Sequence, residues 1–322
     1  MLTLLAVGAS MEGFAAFAQQ AKIWRIGFLA LTSSGASITL RRLDALRAGL
    51  RELGHSEGKD FVFEFRWADG HYDRLPALAE ELVRQNVDML ITYSTPGAMA
   101  AKRATQTIPI VLASVGDPVT TGLVDNLARP GTNITGLAMF TPQEMAKRIE
   151  LLKDAFPQIR TVAALFNPTN PQSGVSAKAL ETASRKAKVE IHAVNAFTEA
   201  DFESAFAAMV EKRVEGLAIF EDPVFTAQAS KLAALSLRHR LPAVGQVAFA
   251  EAGGLIGYGS NQLELFRSTA VFIDRIMKGA KPGDLPIQQS SRFELVVNMN
   301  AASALGVSLP KQLIFRADRV IE

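Results

Sequence analysis

Residues 23–54 read IWRIGFLALTSSGASITLRRLDALRAGLRELG. The first seven, Ile23 to Leu29, form a nearly continuous apolar run, the pattern of a strand buried on both faces. Polar Thr32, Ser33, Ser34 and Gly35 break the run. Leu43, Leu46, Leu50 and Leu53 then recur at helical spacing. Gly54 stands where a left-handed residue closes a helix. Strand, polar loop and amphipathic helix in this order are half of a βαβ unit, in which the loop after the strand is the place for chemistry.

The same unit repeats along the chain. Strand runs follow at 61–67, 87–92, 108–112 and 134–139, with helices predicted over 74–85 and from about Thr95, and a short one reaching Leu127. A second series starts after residue 140. Helix 142–156 precedes strand 161–166, helix 173–188, strand 190–194, helix 199–210 and strand 216–220. A helix then reaches about Arg240. Strands at 242–244 and 255–258, helix 263–278, strand 293–297 and a short Ala-rich helix to Leu305 complete it. Two sets of alternating strands and helices predict an α/β protein with two doubly wound parallel-sheet lobes joined by a hinge. A length of 322 residues fits two such domains.

Composition narrows the function. The 34 basic and 32 acidic residues leave a formal net charge of +2, scattered rather than blocked, so neither nucleic acid nor a membrane surface is an expected partner. The absence of cysteine excludes disulfides, thiol catalysis and thiolate metal sites. His55, His71, His192 and His239 have no metal-ligand spacing, so no metal and no cofactor is expected. Leu2 to Ala9 is a short apolar run, and Ala16-Phe17-Ala18 offers a small-x-small cleavage pattern. Residues 1–18 are therefore expected to be a signal peptide cut near Ala18, although no basic residue precedes the run and Glu12 interrupts it. The run is too short to span a membrane, and no stable insertion is expected.

In open α/β sheets a ligand sits beyond the carboxyl ends of the strands, where helix N-termini present free N–H groups. The candidate binding residues in those loops are Ser33, Ser34, Thr95, Ser114, Asp117, Asn170, Asp222 and Gly245. Each alone is what an N-cap or turn calls for; as a set facing each other across two lobes they form a cleft. No Gly-x-Ser-x-Gly, Walker or His-Glu-x-x-His pattern is present, and no catalytic residue is assigned.

Several segments resemble one family. They are Arg47–Gly54, Val115-Gly116-Asp117-Pro118-Val119 with Gly122-Leu123-Val124, Leu127–Gly131 with Asn133–Gly136, Lys278–Pro282 with Leu285-Pro286, Phe293–Asn298, Ala304-Leu305-Gly306 and Arg316-Ala317-Asp318. Together they are similar to ABC-transporter substrate-binding proteins, relatives of tryptophan- and tyrosine-importer binding proteins. The resemblance implies a type I periplasmic-binding-protein fold and no enzyme activity. It implies a periplasmic protein in which lobe 1 comprises 19–138 plus 259–286 and lobe 2 comprises 139–258 plus 287–322, with crossovers near Met139, Tyr258 and Pro286; the chain departs from the family in lacking a lipid-anchor cysteine, so a freely diffusing form is expected. It further implies a small-molecule ligand, an importer permease and ATPase as partners, and a monomer. For an amino-acid ligand, Thr95 and Ser114 are expected to meet the carboxylate and Asp222 the ammonium. Asn170 and Ser33 would add polar contacts, and Tyr93 or Phe140 an aromatic face. Two other classes share this layout: a ligand-sensing domain serving a receptor, and a two-lobed α/β enzyme. Against the enzyme, the cleft loops lack the paired cysteines of racemases and the Lys or Arg of phosphate enzymes.

Overall fold

The computed structural model describes residues 22–139 and 141–322; the signal-peptide expectation and the aromatic role of Phe140 lie outside the described residues. In the first half, β1 (Trp24–Ala30), α1 (Ser37–Glu52), β2 (Phe61–Trp67), α2 (Leu75–Arg84), β3 (Met89–Tyr93), α3 (Thr95–Ala104), β4 (Ile110–Val115) and β5 (Ile134–Ala138) follow in order. The second half opens with α4 (Thr141–Ala155), β6 (Thr161–Phe166), α5 (Gln172–Ala187), β7 (Glu190–Asn195), α6 (Phe202–Glu211) and β8 (Gly216–Ile219). It continues with α7 (Pro223–Ala227), α8 (Ala229–Arg238), β9 (Ala243–Gly245), α9 (Val247–Glu251) and β10 (Ile256–Ser260). Last come α10 (Gln262–Met277), β11 (Gln288–Gln289), β12 (Phe293–Asn298), α11 (Met299–Leu305), α12 (Lys311–Phe315) and β13 (Arg319–Ile321).

The strands form two sheets, one of six in the order β11-β5-β4-β3-β1-β2 and one of seven in the order β13-β12-β10-β9-β8-β6-β7. All pairings are parallel except that of β10 with β12. The chain changes sheets after Met139, after Ser260 and after Gln289. The sequence places these changes near Met139, Tyr258 and Pro286. Tyr258 is inside β10 of the second sheet, and Pro286 precedes the two residues by which β11 pairs with β5.

One further difference concerns the loop after β4. The sequence predicts a short helix reaching Leu127, and the chain forms consecutive turns there instead. Gly122 at φ 74° turns the backbone out of helical geometry. Asp117 meanwhile accepts bonds from the Val119 and Thr120 N–H groups, a local turn that competes with helix extension.

Each lobe closes because its helices carry an apolar stripe. On α1 the buried positions are Thr39, Arg42, Leu43, Leu46, Gly49 and Leu50, a 3–4 residue repeat in which one member is charged. This stripe packs on α10, whose Phe266, Ala270 and Ile273 share a core with Phe28, Ile91 and Val111 of the first sheet. Thus α10, which follows β10 of the second sheet, returns to cover the first. In the second lobe Leu165, Leu217, Ile219, Phe202, Phe206 and Phe249 are all buried. Gly49 sets the α1–α10 distance: a Cβ there would lie 2.2 Å from the Arg267 carbonyl oxygen and 2.9 Å from the Ala270 Cβ. Backbone cannot yield as a side-chain tip does. Gly49→Ala is expected to lower stability by about 1–3 kcal/mol in urea denaturation, despite the better helix propensity of alanine.

Candidate functional site

The carboxyl ends of β3, β4, β6 and β8 converge on a cleft between the lobes. From the first lobe it is lined by Tyr93, Ser94, Thr95, Ser114 and Gly116, with Arg42 of α1 and Gln262 of α10. From the second come Asn170, Gln172, Glu221, Asp222, Pro223 and Thr226, and Met139 lies beside the first crossover. The cleft spans about 390 Å³ of space that is continuous with open solvent. A second compartment of about 800 Å³ adjoins it, sharing Arg42, Glu221, Thr226 and Gln262 and adding Arg41, Gln246, Glu251, Ser260, Asn261, Glu294 and Arg319.

Local irregularities shape the first-lobe wall. The β3–β4 register shifts at Thr92/Tyr93, and the β4–β5 register shifts between Leu112 and Val115. Such shifts re-aim side chains at a sheet's edge. Ser94, the N-cap of α3, has φ 72° and ψ 148°, a conformation at home in glycine and strained in serine. Its Oγ accepts the Gly97 N–H at 3.5 Å. Thr95 Oγ1 accepts the Gly116 N–H at 3.3 Å, which leaves its own proton to donate into the cleft. Ser114 Oγ donates to Gln262 Oε1 at 3.0 Å.

On the opposite wall Asp222 is 1% exposed. It caps α7 by accepting the Val224 N–H at 2.9 Å, and Asn170 Nδ2 donates to its other oxygen at 3.0 Å. The Tyr72 hydroxyl reaches across from the first lobe to donate to the same oxygen at 2.5 Å. Burial pushes the Asp222 carboxyl above the usual aspartate range, while the bonds from Tyr72 and Asn170 pull it down. Among the described residues no Lys, Arg or His lies within 4.0 Å of it. Burial, reinforced by Asp222, raises the Tyr72 phenol well above its ordinary value. A second bond between the lobes joins Arg41 to Glu251 at 3.0 Å.

Below the cleft a buried ionic cluster fixes the second-lobe loops. Arg148 of α4, 1% exposed in its side chain, donates to the Tyr258 carbonyl at 2.8 Å, the Ile219 carbonyl at 2.9 Å and Glu221 at 2.8 Å. Its guanidinium is 3.8 Å from Glu144, whose other oxygen accepts from the Ser260 hydroxyl. Burial, followed by the Glu221 charge, raises the Glu144 carboxyl to about 7, against the pull of Arg148 and Ser260. Several buried polar atoms have no protein partner: both amide atoms of Gln172, the Gln246 Oε1, the Glu144 Oε2 and the Arg42 Nε.

Of the eight residues chosen from sequence, Thr95, Ser114, Asn170 and Asp222 share this cleft. Ser33 and Ser34 are exposed beyond β1 and line neither compartment. Asp117 turns away to hold the Val119–Thr121 turn. Gly245 ends β9 against the Phe249 ring, and its neighbour Gln246 lines the second compartment. Tyr93 lines the cleft with its hydroxyl held by Thr32 at 2.5 Å. Arg42, Gln172 and Gln262 were not picked from sequence. For Arg42 a signal existed: it is a charge on the core-facing stripe of a helix.

Two α/β lobes, three crossovers and a polar gap between them define a hinged solute-binding protein. A family model described as ABC transporter substrate binding protein matches residues 34–321, and the chain belongs to that family, whose members bind solutes and are not enzymes. The fold is that of type I periplasmic binding proteins. The chain is 23% identical over 257 residues to the tyrosine-binding protein of Clostridioides difficile (strain R20291), covering 80% of this chain and 74% of that one. A conserved domain protein from Vibrio cholerae matches at 27% identity with a TM-score of 0.86, over 93% of this chain and 100% of that one. An ABC domain in complex with L-Trp from Streptococcus pneumonia matches at 24% identity and a TM-score of 0.86, with coverage of 93% and 100%. A ligand-free, open substrate-binding protein from Clostridium difficile matches at 24% and a TM-score of 0.66, covering 93% and 99%.

Two predictions follow from the geometry. Tyr72→Phe removes a bond that crosses the cleft, so the ligand-free protein should open, seen as a larger radius of gyration in small-angle scattering. Glu144 keeps its proton in the folded state between about 4.5 and about 7, where the unfolded chain has lost it. Its favourable contribution is thus complete at low pH and lost as pH rises through that window. Urea denaturation at about pH 5 and about pH 8 should show a smaller loss of stability for Glu144→Gln than for the parent protein.

Proposed function

We propose that this chain is the periplasmic solute-binding component of an ABC importer. Its ligand on this reading is an α-amino acid, with an aromatic side chain favoured, held in the interlobe cleft by closure about the three crossovers. The observation that carries the proposal is Asp222, a carboxylate buried between the lobes with no cationic partner among the described residues. A buried charge needs a counter-charge, and an α-ammonium supplies one together with the N–H donors that the carboxylate accepts. Across the cleft, the Thr95 hydroxyl, whose proton is free, and the N-terminal end of α3 suit a carboxylate. Tyr93 adds a ring to the wall. The tyrosine-binding and L-Trp-bound relatives support the same class of solute. Among the described residues no helix is long and apolar enough to cross a membrane, consistent with a diffusing carrier that docks on a permease and its ATPase.

A micromolar affinity requires only about −8 kcal/mol, which a few charge-assisted bonds in a closed cleft provide. Calorimetry against the twenty L-amino acids should find a binder, and Asp222→Asn should weaken it by about 30-fold or more. Affinity should fall as pH drops through the raised Asp222 pKa, because the ammonium binds the ionised form. Unchanged affinity in Asp222→Asn, or no amino acid bound at all, would overturn the assignment.

A further inference from the structure

Every charged side chain lining the two compartments has an opposite charge within 4.0 Å except Asp222 and Arg42. Arg41 and Arg319 pair with Glu251, Arg319 also with Glu294, and Glu221 with Arg148. Arg42 is 4% exposed and has no carboxylate within 4.0 Å among the described residues; Glu221, already paired with Arg148, attracts it only from beyond that distance. Its Nε is buried without a partner, and its one hydrogen bond, to Gln262 Oε1, is long at 3.4 Å. The Tyr93 and Phe266 ring centroids lie 5.3 and 5.5 Å from the guanidinium carbon, and these rings steady its plane without neutralising it. Through Gln262 it is linked to the Ser114 hydroxyl. A core helix position offers no structural reason for such a charge, since an apolar residue of similar volume would pack there at lower cost.

We infer that Arg42 reads the solute's carboxylate, so that the site selects carboxylate-bearing solutes over amides, amines and sugars of the same shape. The planar guanidinium matches a carboxylate with two parallel N–H···O bonds, and the anion supplies the counter-charge that the fold withholds. The inference deepens the amino-acid reading and rests on it only for the ammonium end. Arg42 and Asp222 stand on opposite lobes, so a zwitterion satisfies both unpaired charges and is held from both sides, which a singly charged solute does not do.

The test is calorimetry on the full mature chain with the twenty L-amino acids, benzoate and 3-phenylpropionate, each beside its amide. At least one carboxylate should bind about 30-fold or more tightly than its amide. That preference should fall to about threefold or less in Arg42→Gln and Arg42→Met, while Arg42→Lys keeps part of it. Ligand-free Arg42→Gln should melt at the parent temperature or higher, because an unpaired buried charge has been removed. If an amino acid binds and its preference over the amide survives in Arg42→Gln, the role of Arg42 is overturned while the amino-acid assignment stands. If only benzoate or 3-phenylpropionate binds, with a preference that Arg42→Gln abolishes, Arg42 keeps its role and the amino-acid assignment falls. Binding of no carboxylate overturns both. A sharp fall in the melting temperature of ligand-free Arg42→Gln would make Arg42 a structural support instead.

Discussion

The site depends on Arg148. This one buried guanidinium satisfies the carbonyls of Ile219 and Tyr258 and holds Glu221, so it ties the ends of β8 and β10 to α4. Those elements flank the first two places where the chain changes sheets and carry the loop that presents Asp222. Removing one partner from such a buried ionic group costs about 3–5 kcal/mol, because the remaining charge is left in a poorly polarisable interior. The second-lobe wall is thus tied to α4 by buried hydrogen bonds and an ion pair up to the edge of the cleft.

Within this frame the cleft is left incomplete. Elsewhere along its rim acids and bases are matched, as between Arg41 and Glu251 or Arg319 and Glu251. Inside, among the described residues, Asp222 and Arg42 have no opposite charge within 4.0 Å and Gln172 has neither amide atom bonded. A protein optimised only for its own stability would pair or delete these groups. On the proposed reading, leaving them unpaired shifts part of the interaction free energy from folding to ligand binding. Tyr72 partly compensates in the ligand-free state by donating to Asp222 from the other lobe. It helps the lobes meet without supplying the positive charge that Asp222 lacks.

Much of the architecture was legible in the chain. The apolar run at 23–29, the leucine spacing of α1 and the repeated loops beyond strands follow from local rules of burial and turn chemistry. The same logic picked out Thr95, Ser114, Asn170 and Asp222, which the structure brings to one cleft, although Ser114 lies within β4 and turns rather than a helix follow it. Ser33, Ser34, Asp117 and Gly245 satisfy the same local description and are nevertheless elsewhere. A loop's position after a strand says which end of a sheet it occupies, and nothing about whether its side chains turn inward.

Alternation of strands and helices, read from apolar periodicity, determined on its own that two α/β lobes form and which loops stand at the carboxyl ends of their strands. The local sequence also marked the caps, because capping is decided within four residues. Only the tertiary structure decided which charges have partners. Tyr72 and Asp222 are 150 positions apart, and Arg42 and Gln262 are 220. Whether a buried charge is neutralised or left for a solute depends on distances of a few ångströms between such remote residues. Those distances are set by how the helices pack, and no short window of sequence contains them.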